Sequence, residues 1–160
     1  MTQALHEQIA ARVSDAGGMY SRLVLVVGPQ GSGKTRALQA LSAEKGWPRI
    51  NLNLELAKAL IDLTVKQRSV RVPGLLDDLL RRSNKDVVML DNIEMLFSPE
   101  LAQDPLRLLQ SLSRNRALVV TWSGSYDGKQ LNYAEPGHKE ARRYLSPDAT
   151  IVLVGEEASP

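Results

Sequence analysis

The chain has 160 residues, of which 43% are hydrophobic and 24% charged, a profile that fits one soluble globular domain spanning 1–160 and leaves no room for two ordinary ones. Its formal charge of +2 is too small to imply a nucleic-acid partner by itself. Zero cysteines exclude disulfides, thiol catalysis and cysteine-ligated zinc, and His6 and His138 lie too far apart in sequence to suggest a metal motif.

Residues 3–16 space Leu5, Ile9 and Val13 four apart among polar neighbours, predicting an amphipathic helix that ends at Gly17-Gly18. The same stretch lacks the apolar core of a signal peptide, and the longest apolar runs are only strand-sized, so a cytoplasmic protein with no membrane span is expected. LVLVV, 23–27, reads as a strand buried on both faces. It runs into GPQGSGKT, after which TRALQALSAEKG predicts a helix stopped by Gly46. Pro48–Leu54 alternates apolar and polar residues, as a second strand would. A helical pattern follows over 55–67, and LLDDLLRRS after Pro73-Gly74 reads as a separate amphipathic helix.

VVML, 87–90, is another fully buried strand. Ser98-Pro99 and Asp104-Pro105 are cap-then-proline helix starts, the second opening LRLLQSLSRNR with Leu106, Leu109 and Leu112 on one side. ALVVTW, 117–122, and TIVLV, 150–154, are the last candidate strands, with a turn expected at Asp127-Gly128 between them. Strands alternating with helices predict an α/β fold: a mostly parallel sheet of five core strands, right-handed crossovers, and helices on both faces.

GPQGSGKT matches G-x-x-x-x-G-K-[ST] at Gly28, Gly33, Lys34 and Thr35, with Pro29, Gln30, Gly31 and Ser32 completing the loop. Glycines at these positions let backbone N–H groups curl around phosphate oxygens, and the following helix points its positive end at the same anion. Lys34 can reach the β- and γ-phosphates, and Thr35 can offer its hydroxyl to Mg²⁺. A strand before and a helix after supply the context that a bare glycine-rich turn would lack. This predicts a P-loop NTPase binding ATP or another NTP with Mg²⁺.

Asp91, at the end of a buried strand, is the second candidate Mg²⁺ residue, usually through water; by itself it would read as a capping aspartate. The next residue, where many such enzymes carry the water-activating glutamate, is Asn92. An amide can orient a water but cannot accept its proton at neutral pH. Glu94 can, if the chain turns its side chain back; otherwise it is a solvated loop residue. Thr121 and Ser123, at the end of ALVVTW, either sense the γ-phosphate or satisfy local backbone groups. Arg114, Arg116, Arg142 and Arg143 are candidates to complete a neighbouring subunit's site, although any one arginine is more often a solvated charge. Arg68, Arg71, Arg81, Arg82 and Lys85 form a basic cluster that could meet DNA phosphates, with a solubilising surface as the plainer reading.

The segments GPQGSGKT, INLNLELAKAL, RVPGLLDDLL, MLDNIEMLF, DPLRLLQSLSRNRALVVTWSG and LNYAEPGHKEARRY together resemble the BrxF family of small P-loop proteins from BREX bacterial phage-defence systems. The resemblance covers the chain from about residue 20 onward, and DNIEMLF, DPLRLLQSLSRNR and YAEPGH are its more specific parts. It implies an ATPase-like member of a multi-protein system, working with other BREX proteins, with Gly28–Thr35 on nucleotide and Thr35 and Asp91 at Mg²⁺. The wider architecture is similar to AAA+ and related ATPases, which commonly form rings. Asn92 and the expected lack of a helical lid domain depart from that pattern and weigh against vigorous autonomous hydrolysis and a stand-alone ring. The expected function is an ATP-binding, weakly hydrolysing switch or assembly component, with other copies of the chain, as a homo-oligomer, among its candidate partners; a small-molecule or nucleoside kinase and a non-hydrolysing interaction module are the alternatives.

Overall fold

A computed structural model describes residues 4–134 and 142–154. Five strands form a parallel core: β1 (Leu23–Gly28), β2 (Arg49–Asn51), β3 (Val87–Asp91), β4 (Ala117–Tyr126) and β7 (Thr150–Leu153). Their order is β2-β3-β4-β1-β7. All six residues of β1 are buried, because it lies between β4 and β7 with helices on both faces.

Alternate side chains of these strands feed two separate cores. Val24, Val26, Met89 and Val119 pack with α1 (Leu5–Asp15) and α2 (Lys34–Lys45) through Ile9, Val13, Leu38 and Leu41. Leu23, Leu25, Val88, Leu90, Leu118 and Val120 face α3 (Leu52–Leu60), α4 (Val65–Ser83) and α5 (Pro105–Leu112). Each of α3 and α4 meets the sheet with a row four residues apart, Leu52-Leu56-Leu60 and Val72-Leu76-Leu80.

Several boundaries differ from the sequence reading. The second strand stops at Asn51, which caps α3 by accepting the Leu54 N–H at 3.2 Å. The alternation INLNL imitates a strand, but Leu54 is exposed while Leu52 and Leu56 are buried, a helical spacing. Likewise 55–67 is not one helix: α3 ends at Leu60, and Thr64 opens α4 with a capping box to Gln67. Pro73-Gly74 does not start a helix either. Pro73 lies inside α4, where its missing N–H frees the Ser69 carbonyl one turn back. Gln103 Nε2 takes that carbonyl at 2.8 Å, and this substitute donor lets the helix run on. Ser98-Pro99 starts only a single 3-10 turn, Pro99–Leu101, and α5 stops at Leu112 rather than at Arg116.

Two strands had no counterpart in the sequence reading. β4 runs to Tyr126 and turns through Asp127-Gly128 into β5 (Gln130–Tyr133), which pairs antiparallel with β4 and with β6 (Arg142–Leu145). The turn is therefore a hairpin turn. Gly124 pairs with Tyr133 across this ladder, and a Cβ there would run into the neighbouring Asn132 carbonyl. Phe97 stacks on Tyr133, and Trp122 meets both edge-on, which fastens the hairpin to the core. Among the described residues no helix is long and apolar enough to cross a membrane.

Candidate functional site

The parallel strands all end on one side, and the residues leaving them line a cavity of about 500 Å³. Gln30 through Arg36 form one wall; Gln39, Asp91, Asn92, Glu94, Thr121 and Ser123 complete it. The sheet register explains the meeting, since Gly28 lies opposite Ser123, Val26 opposite Thr121, and Asn51 opposite Asp91.

Gly28 must be glycine, because a Cβ would approach Ser32 Oγ and Val154 Cβ to 2.9 Å. Gly33 has a φ of +98° and caps α2 in a left-handed conformation that other residues resist. Lys34, the first residue of α2, is buried and folds back over the loop. Its ammonium donates to the Gly28 carbonyl at 2.8 Å and the Pro29 carbonyl at 2.6 Å, and more distantly to Ser32 Oγ at 3.4 Å. Burial lowers the Lys34 pKa from its ordinary 10.5, with Glu94 and Asp91 pulling the other way. Both carboxylates thus act electrostatically on this ammonium.

Asp91 is almost fully enclosed. Its Oδ1 accepts from Thr121 Oγ1 at 2.8 Å and from the Asn92 N–H at 3.0 Å, while Oδ2 faces Arg49 Nη1 at 3.2 Å. The Thr121 hydroxyl therefore orients Asp91 rather than satisfying local backbone, and Ser123 is the group of that pair left beside the loop.

DNIEMLF divides cleanly. Ile93, Leu96 and Phe97 are buried in the core, and Asp91, Asn92 and Glu94 line the cavity. Asn92 makes the division by taking a φ of +56°, a conformation that asparagine tolerates better than glutamate. Glu94 follows at the start of a 3-10 turn and is held by Asn53, the second residue of α3. Asn53 Nδ2 donates to Glu94 Oε1 at 3.2 Å, its Oδ1 accepts the Met95 N–H at 2.9 Å, and its own N–H reaches the Asn92 carbonyl at 2.8 Å.

A model of the ATPase family associated with various cellular activities (AAA) matches residues 24–120. The chain belongs to the AAA family. No curated protein matches the chain in sequence. An AAA domain implies nucleotide binding, usually with Mg²⁺, and the cavity has the donors for both. Lys34 and the loop amides suit an anion, and the Thr35 hydroxyl and Asp91 carboxylate suit a hard, oxygen-seeking cation.

The arginines separate from this site. Arg114 and Arg116 precede β4, at the far end of the sheet; Arg114 stacks over Tyr20 at 4.7 Å, and Arg116 donates to the Leu112 carbonyl at 3.1 Å. Arg142, on β6, donates to the Gln103 carbonyl at 3.2 Å, and Arg143 follows it on the same strand. None of the four lines this chain's cavity. In the basic cluster, Arg68 Nε is committed to the Leu60 and Leu63 carbonyls, and Arg81 pairs with Asp77 at 2.7 Å. Arg71 and Arg82 are exposed, as is Lys85. His6 faces Glu44 at 3.4 Å, whereas His138 and most of YAEPGH lie outside the described residues.

Sequence reasoning missed Arg49 and Asn53. Both fall in the stretch read as a strand. The signal for Asn53 was the asparagine-led start of a helix at Asn51, hidden under the false alternation.

Proposed function

We propose that this chain is an ATP-binding, weakly hydrolysing protein that works as a nucleotide-dependent switch or assembly component, and that its setting is a BREX phage-defence system. The observation carrying the reading is the convergence of Lys34, Thr35, Asp91 and Glu94 on one cavity. Weak hydrolysis follows from Asn92, which cannot take a proton, and from Glu94, whose carboxylate is engaged by Asn53. Nucleotide would reorganise the loop around Asp91 and Glu94 and so change affinity for partners. The defence setting rests on the likeness of DNIEMLF and DPLRLLQSLSRNR to the BrxF family. Homo-oligomerisation could bring an arginine from Arg114, Arg116, Arg142 or Arg143 of one copy to another's cavity. Arg71 and Arg82 are the members of the basic cluster best placed to meet DNA.

One observation favours a second reading, a nucleotide-bound module without turnover: the residue beside Asp91 is an amide in a conformation that disfavours glutamate. Steady-state phosphate release with ATP and Mg²⁺, across protein concentrations and with or without DNA, separates the two. The switch reading expects turnover that rises per molecule with concentration and disappears in Lys34→Ala and Glu94→Gln, while Asn92→Ala retains it. Tight nucleotide binding lost in Lys34→Ala, with no turnover in any condition, supports the module instead.

A further inference from the structure

The Asp91 carboxylate already has a cation. Arg49 sits on β2, an edge strand of the sheet, two residues before the register partner of Asp91. In a strand, residues two apart face the same side, so Arg49 and Asp91 share a face. The guanidinium reaches Oδ2 at 3.2 Å, with side-chain exposures of 29% for Arg49 and 3% for Asp91. A carboxylate this enclosed needs a counter-charge, because a buried, unpaired ion is strongly unfavourable. Thr121 and the Asn92 N–H occupy Oδ1. Oδ2, the oxygen with spare acceptor capacity, is the one Arg49 holds.

We propose that Arg49 is the resident counter-ion of Asp91 and sets how much Mg²⁺ the nucleotide site needs. The inference rests on the reading above, in which Asp91 serves a Mg²⁺–nucleotide complex. Two cations that draw on one carboxylate repel each other and divide its charge. A Mg²⁺ ion drawing on the Asp91 carboxylate would therefore bind against the charge of Arg49. Without Arg49 the carboxylate would be a stronger Mg²⁺ partner, although the protein lacking both cations would be less stable. Arg49 thus acts through Asp91 as a positioning residue, and it keeps the site ordered until the metal–nucleotide complex arrives.

The test is a Mg²⁺ titration of fluorescent ATP-analogue binding to the whole chain, wild type against Arg49→Gln, with circular dichroism to check folding. The Mg²⁺ concentration giving half the binding gain is expected to fall roughly tenfold in Arg49→Gln, one unit of competing charge having been removed. An unchanged or higher midpoint overturns the proposal. Should Arg49→Gln not fold, wild-type protein supplies the answer by NMR. The Arg49 Nε–H resonance, assigned by its loss in Arg49→Lys, is expected to move when Mg²⁺ is added to protein already holding nucleotide in EDTA, and an unmoved resonance overturns the idea equally. If the wild-type chain binds no nucleotide, the reading above fails; if it binds nucleotide with no dependence on Mg²⁺, the metal role of Asp91 fails, and this inference fails with it. Mg²⁺ dependence that is identical in the two proteins defeats only the role of Arg49.

Discussion

The Asn53 amide fixes Glu94 at two points: its Nδ2 donates to the carboxylate at 3.2 Å, and its Oδ1 accepts the N–H of the next residue, Met95, at 2.9 Å. Its main-chain bond to the Asn92 carbonyl, at 2.8 Å, does not depend on the side chain. Asn53→Ala should therefore release the carboxylate while leaving the loop anchored. A carboxylate relieved of a hydrogen bond is a better base, so phosphate release should rise severalfold and fall away again in Asn53→Ala with Glu94→Gln. Two lost hydrogen bonds should also lower stability by about 1–2 kcal/mol in urea unfolding. A drop in turnover at unchanged nucleotide affinity would show instead that Asn53 aims Glu94 productively.

At position 92 the backbone, with φ at +56°, selects the residue. Asn92→Gly should be neutral or slightly stabilising, whereas Asn92→Glu should cost roughly 1–2 kcal/mol for a left-handed conformation it resists. Urea midpoints of the three proteins decide the matter; equal midpoints would mean the turn relaxes at no cost.

Gln103 supplies the donor that Pro73 lacks. Gln103→Ala leaves the Ser69 carbonyl without the bond at 2.8 Å and the Leu101 carbonyl without that at 2.6 Å. A loss of about 1–2 kcal/mol is expected. The same substitution in a Pro73→Ala background should cost less at Ser69, since the helix N–H is restored there. Additive losses in the double variant would break this link.

Lys34 makes a pH prediction. Its folded pKa lies below the ordinary 10.5 because burial disfavours the ammonium. Between the folded value and 10.5 the unfolded chain binds more protons, so stability attributable to this group rises with pH. At neutral pH the burial penalty is fully present, and it is relieved as pH climbs through the folded value. The unfolding free energy of wild type relative to Lys34→Met should thus increase from pH 7 toward 10.5. A flat or falling difference would mean that the carbonyl contacts and the two carboxylates outweigh desolvation.

The sequence by itself determined what local pattern and short-range chemistry can carry. Continuous, valine-rich apolar runs at 23–27 and 87–90 are strand-length and read as strands covered on both faces, and GPQGSGKT between a strand and a helix specifies a phosphate loop, because its glycines answer to backbone geometry. Tertiary structure decided the rest. INLNL reads as a strand until its leucines meet the sheet, and Pro73 reads as a break until Gln103, thirty residues away, replaces the missing donor. The partners of Asp91 and Glu94, namely Arg49, Thr121 and Asn53, come from other elements brought alongside by the register of parallel strands. No period or spacing encodes that meeting, since it depends on which strands become neighbours.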